Sequence, residues 1–186
     1  MKFSDLVVIA GTGTGSAMTK NGNTASGVNS FAEGGKLNFS TKVIDDKSYT
    51  EPGAYGDYSH SEGLNTLAIG YSSHVEGYGT IASGSYSHAE GCGATASGNG
   101  SHASGFYTVA NHKSQHVFGE YNVEDSSTAT ANNRGNYVEI VGNGTNKTKS
   151  NARTLDWDGN EILAGKLTVG SSPTDNMDVA TKQYVD

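Results

Sequence analysis

Large apolar side chains are what this chain most lacks. Leu, Ile, Val and Phe together make up about 17% of its 186 residues, under the roughly 20% below which a chain usually cannot fill a core. The run Leu6-Val7-Val8-Ile9-Ala10 is too short to span a membrane, and no charged-then-apolar leader opens the chain. Membrane insertion is therefore not expected, and the chain reads as soluble or as a soluble piece of something longer. The single cysteine, Cys92, excludes a disulfide framework within one chain and reads as an inert thiol at a turn. Positive charge is also scarce. Twelve Lys and Arg against 19 Asp and Glu give a formal net charge of −7, which argues against a nucleic-acid partner because that partner wants a basic face. Gly11-Thr12-Gly13-Thr14-Gly15 lacks the Lys-Ser/Thr ending of a phosphate loop.

What is present is a repeat. Histidines fall at His60, His74, His88, His102 and His116, each fourteen residues from the last. A glycine follows each by three residues, at Gly63, Gly77, Gly91, Gly105 and Gly119. Alanines follow at Ala68, Ala82, Ala96 and Ala110, and a second glycine at Gly70, Gly84 and Gly98. Self-similarity at a fixed period marks a repeat architecture. Each period splits into two halves that read small-x-small-x-Gly, as in Ser87-His88-Ala89-Glu90-Gly91 and Ala94-Thr95-Ala96-Ser97-Gly98. Strand side chains alternate between faces, so the small residues share one face and the x residues the other. Two short strands and two turns then make one flat coil, and stacked coils pair as parallel strands about 4.8 Å apart. The fold class is all-β, a two-sided parallel β-roll; a three-sided helix of hexapeptide repeats does not fit this period.

Such a roll has a thin interior. Small side chains bury little apolar area, at about 25 cal/mol per Å², while ordering the backbone costs about 1–2 kcal/mol per residue. A lone roll should be marginal, so its outer surface is expected to meet further copies of the chain.

Taken in order, residues 1–53 hold one partial coil at 25–34, where Ala25 to Gly34 matches Ala82 to Gly91 with Phe31 in place of the histidine. Residues 11–24 show no usable period. Residues 35–53 read as an insertion that leaves the roll and returns, with a strand-like run over Lys36 to Val43. The main roll spans 54–119. His112, Gln115 and Phe118 break its pattern at the C-terminal end, as a cap would. Residues 120–136 are polar and read as a linker. Residues 137–170 read as a β-meander with Trp157 in its small core and a hairpin turn at Asp158-Gly159. Residues 171–186 place Met177, Ala180 and Tyr184 on one helical face, the start of a C-terminal helix or coiled coil.

The run 54–119 resembles the head repeats of trimeric autotransporter adhesins, the YadA-like heads. The Ser-His-Ala-Glu-Gly form at 87–91 is most similar to versions in tail fibres and minor structural proteins of phages and prophages of Gram-positive bacteria. Ile140 to Thr145 and Ser150 to Asn160 look like the domain that follows such rolls in phage tail proteins, and 173–186 is similar to the start of a tail-fibre coiled coil. The resemblance implies a left-handed roll and a homotrimer. It also implies residence in a virion or on a bacterial surface, and a host glycan or protein as possible partner. The missing export signal favours the phage setting over an adhesin head that binds host matrix protein. Some tail proteins with similar rolls end in a self-cleaving chaperone domain, but no nucleophile can be assigned here.

Several surfaces invite a functional reading. The outward residues of one strand, including Leu67, Ile69, Ile81 and Val109, are the more apolar and are expected to form the trimer interface. The other strand carries His60, His74, His88 and His102 with Glu62, Glu76 and Glu90, an expected solvent-facing ladder and a candidate binding surface. A uniform ladder lacks the closed ligand shell of a metal site, so neither metal nor cofactor is expected. The glutamates are one position repeated, without the distinct environments that separate a catalytic acid from a base. Serine and histidine, adjacent in the repeat, point to opposite faces. No enzymatic role is therefore expected. Asn143-Gly144-Thr145 and Asn146-Lys147-Thr148 are glycosylation sequons by spelling only. Tyr55, Tyr58, Tyr71, Tyr78, Tyr86 and Tyr107 gather at or near turns, where exposed rings suit sugar or protein recognition or simply pack coil on coil.

Overall fold

A computed structural model of the chain describes residues 8–19 and 22–166. Its centre is the stack of coils that the period predicts. Strands β8 (His60–Ser61), β10 (His74–Val75), β12 (His88–Cys92), β14 (His102–Phe106) and β16 (His116–Glu120) lie side by side in one sheet. Strands β9 (Leu67–Ala68), β11 (Ile81–Ala82), β13 (Thr95–Ala96) and β15 (Val109–Ala110) lie in the other. All these pairings are parallel and in register with the repeat: His74 faces His88, Ile81 faces Thr95, Ala82 faces Ala96.

The interior is as thin as the composition requires. Ala68, Ala82, Ala96 and Ala110 meet Val75, Ala89, Ala103 and Val117 between the sheets, each fully buried. Two of the inward serines are satisfied locally: Ser59 Oγ donates to Gly56 O and Ser87 Oγ to Gly84 O, both at 2.6 Å. Coils stack so closely that the glycine three residues after each histidine has no alternative. Gly77 has φ of +100°, and a Cβ there would collide with the carbonyl oxygen of Gly91.

The roll begins earlier than the match at 25–34 suggests. Strand β2 (Ala17–Thr19) pairs in parallel with β4 (Phe31–Ala32), Ala17 facing Phe31, and β4 pairs in parallel with β8. Strand β3 (Thr24–Ala25) pairs with β7 (Gly53–Ala54), which pairs with β9. The residues 11–24 that show no usable period thus contribute to the N-terminal end of the stack. A further strand, β1 (Val8–Ala10), closes it antiparallel to β2. The insertion leaves after Gly35, which bridges Leu64. It forms a hairpin of β5 (Lys42–Ile44) and β6 (Lys47–Tyr49) around Asp45 and Asp46, whose φ angles of 49° and 60° fit a primed turn. The strand expected over Lys36 to Val43 therefore starts only at Lys42, because Asn38 turns the chain at a φ of 49°.

At the C-terminal end the supposed linker is a plug. Asn122 is fully buried; its amide accepts from Val109 N–H at 2.8 Å and donates to Val109 C=O at 3.1 Å, doing for β15 what another strand would do. Asp125, 3% exposed, accepts from Gln115 Nε2, Asn136 Nδ2 and the N–H groups of Ser127 and Tyr137. Strand β17 (Tyr137–Asn143) then pairs in parallel with β16, so that Ile140 continues the core above Val117. The meander, completed by β18 (Asn151–Asp156) and β19 (Glu161–Leu163), grows out of the roll's own sheet, giving 11 strands against 6 in the other among the described residues. Trp157 is not at the centre of a small core: it is half-buried in the turn after β18, with the Arg134 guanidinium 4.2 Å from its ring centroid. The end of the expected meander at 167–170 and the helical start at 171–186 lie outside the described residues. Among the described residues no helix is long and apolar enough to cross a membrane.

Candidate functional site

The 11-stranded sheet turns its x positions outward and lines them up layer by layer. His60, His74, His88, His102 and His116 stack with ring centroids 4.7–4.8 Å apart and planes within 5–11° of parallel. Strand spacing sets that distance, since a parallel register repeats every side chain in place. Phe31 extends the column at 5.4 Å from His60. Beside it run Glu33, Glu62, Glu76 and Glu90. Three of the five imidazoles reach back one coil: His60 Nε2 lies 3.3 Å from Glu33, His102 Nε2 3.3 Å from Glu90 and His88 Nε2 3.9 Å from Glu76.

The expected solvent-facing ladder is only half open. The side chains of His60, His88 and His102 keep 33–36% of their surface. The Nε2 atoms of His74, His88 and His102 are shielded from solvent and make no well-aligned hydrogen bond in the chain; His88 and His102 have only the glutamate contacts above, which fall outside hydrogen-bond geometry. Burial pushes the pKa values of His74, His88 and His116 below the ordinary 6.5, and neighbouring imidazoles push the same way. A hydrogen bond between carboxyls raises the pKa of Glu62 and lowers that of Glu76. No Lys or Arg occurs between Lys47 and Lys113, so within these coils only histidine can supply a positive charge.

This arrangement can exchange protons and can pair with a complementary surface. It does not make a closed metal shell. Two groups, His88 with Glu90 and His102, and Glu33 with His60 and Glu62, bring ligand atoms within 4.8 Å of one another. In the first, however, the imidazole planes lie within 10° of parallel, which aims both nitrogen lone pairs the same way instead of at one ion. In the second, one imidazole and two half-exposed carboxylates leave the shell open to water. The serines that flank the histidines are buried on the far side of the strand, which separates hydroxyl from imidazole.

The other sheet departs from the expectation for a flat apolar interface. Leu67 is fully buried within its own chain, outside the Ala-lined core, and has no surface left to offer a second copy. Ile69, Ile81 and Val109 are half-buried. Of the tyrosines, Tyr58, Tyr71 and Tyr86 form an exposed edge-to-face file with centroids 5.4 and 5.5 Å apart. Two column members escape a reading based on histidine alone. Glu33 is one, although Ala32-Glu33-Gly34 repeats Ala89-Glu90-Gly91. Phe31 is the other, packed on His60 where the later coils carry an imidazole. Comparison with protein-family models, with curated proteins and with solved structures finds no match to this chain.

Proposed function

We propose that this chain is a segment of a homotrimeric, left-handed β-roll rod in a phage or prophage tail fibre, a structural module that presents a surface to the host cell. One observation carries the reading: a stack of coils filled mainly by alanine, whose half-open outer column holds solvent-shielded imidazole nitrogens that make no hydrogen bond within the chain. A core of this kind contributes too little to stand alone, and a buried unsatisfied polar atom costs about 1–3 kcal/mol. Further copies supply what both lack. The resemblance of the Ser-His-Ala-Glu-Gly coils supports the tail-fibre setting.

The copies meet across the His/Glu sheet in this reading, the reverse of what apolarity alone suggests. Each copy presents imidazole donors beside carboxylate acceptors, so the surface is complementary to itself. Sedimentation equilibrium tests the assembly: the mass should be three times 19.3 kDa, and Glu76→Lys with Glu90→Lys should return it to the monomer. A stable, well-folded monomer of the unaltered chain would refute the reading.

A further inference from the structure

The six-stranded sheet carries a trough on its outer side. Ile81, Thr95 and Val109, equivalent positions on successive coils, form its floor. Asn38, Phe39 and Lys42 of the insertion close one end, around a hollow of about 300 Å³. The loop Thr145 to Lys149 closes the other, around a hollow of about 370 Å³. The two hollows share Gly93, Thr95 and Tyr107, which places them end to end along the same sheet face. Tyr78, Tyr107 and Tyr121 line it along the edge of the roll.

We propose that this trough binds an extended acidic polysaccharide. The tyrosines supply the first argument. Tyr78 and Tyr107 are 48% and 45% exposed, and Tyr107 stacks on Tyr121 at 5.2 Å with planes 7° apart. Such a rail offers rigid aromatic surface to the C–H faces of successive sugar rings at little entropic cost. The backbone supplies the second. One turn position recurs as Asn65, Gly79, Gly93, Tyr107 and Tyr121, always with positive φ, 52° and 39° at the two tyrosines. Glycine or asparagine tolerates that conformation; a bulky ring there runs against local preference. The missing side chain at Gly93 also leaves the space that the Tyr107 ring occupies.

Charge supplies the third argument. The coils between Lys47 and Lys113 contain no lysine or arginine, yet Lys42 lines one end of the trough and Lys147 the other, beside Lys149, whose ammonium is paired with Glu124. In a chain of net charge −7, this puts cations at both ends of an otherwise uncharged channel. A second copy of the sheet is a poor occupant, because walls at both ends prevent flat contact. A sugar chain, one ring wide and polar at its edges, fits between them. The carbohydrate could carry carboxylates or phosphodiesters, and the probes below tell these apart. The inference depends on the rod reading only for which side of the roll faces outward.

The test measures binding of the intact chain to immobilised polygalacturonate, to purified wall teichoic acid and to neutral dextran. Either acidic polymer, or both, should bind in a salt-sensitive way and dextran should bind more weakly. Tyr107→Gly, which copies the residue at Gly93 and so suits the turn, should lower affinity about tenfold. Lys42→Glu with Lys147→Glu should lower it further and flatten the salt dependence, and Thr95→Trp should block the channel. Failure of both acidic polymers to bind, equal binding of dextran, or unchanged binding by these variants overturns the proposal. Sedimentation of the same samples separates the two readings. If Thr95→Trp dissociates the assembly, the trough is a contact between copies and the proposal fails while the trimer stands. If the unaltered chain binds acidic polymer as a monomer, the rod reading fails and the trough stands.

Discussion

The two sheets of the roll share one backbone design and differ in what they present. The 11-stranded sheet shows the same imidazole in layer after layer and the same carboxylate beside most of them. The 6-stranded sheet covers Leu67 within the chain, changes its outward residue at each later step, from Ile81 to Thr95 and Val109, and is walled by two irregular segments. A surface that repeats carries little information and suits a partner that repeats in step, which another copy of the chain does. A surface that varies can distinguish one ligand from another. The division of labour arises because the inward positions are restricted to small residues, leaving only the outward ones free to differ.

The largest effect should come from a change that strikes both sheets together. Gly91→Val places a side chain against the Gly105 carbonyl at a φ of +101°, and destabilisation of about 4 kcal/mol or more is expected. Thermal unfolding by circular dichroism would show loss of the folded baseline near room temperature. A native-like transition would mean that coils can part more easily than the stack implies.

The next change separates the sheets. Asn122→Ala leaves the N–H and C=O of Val109 without partners, at an expected cost of about 2–3 kcal/mol. Hydrogen exchange should quicken at Val109 and Ala110 in the narrow sheet while β14 stays protected. Equal loss in both sheets would contradict independent capping.

Acid acts on the opposite sheet. The folded pKa values of His74, His88 and His116 lie below 6.5, so as pH falls the unfolded chain takes up protons first. Their contribution is fully present above about pH 6.5 and is lost as pH drops through the folded values. The melting temperature should fall by several degrees between about pH 7.5 and about pH 5, and His74→Gln with His88→Gln should flatten that slope. A melting temperature that rises on acidification would reverse the assignment. The smallest effect belongs to the edge that joins the sheets. Tyr86→Gly relieves a φ of 60° and should change stability by less than about 1 kcal/mol, the relief offsetting lost ring contacts.

The coils were legible because their cause is periodic: close stacking demands small inward residues and glycine at fixed intervals, and the sequence records both. The N-terminal coil was hidden because Ala17 stands where a ring marks later coils, and pairing through the backbone does not require one. The plug at 120–136 was hidden for a different reason. Asn122, Asp125 and Asn136 have the composition of a loop, and only tertiary contacts show that their polar groups close the end of the stack. The imidazole column could be placed on one face from alternation alone. Its partial burial could not, because that depends on how closely neighbouring rings cover one another. The trough is not legible in the sequence because its walls come from segments far apart in the chain.

A ladder of in-register strands carries no instruction to stop. Its last strand exposes the same row of donors and acceptors that recruited it, and a passing segment of another molecule could continue the growth as fibrils do. The amide of Asn122, turned back onto Val109, occupies part of that row with a side chain that cannot itself be extended. The chain thereby keeps the ordered stacking of a fibre over a set length, and the end of the narrow sheet is a terminus written into a single residue.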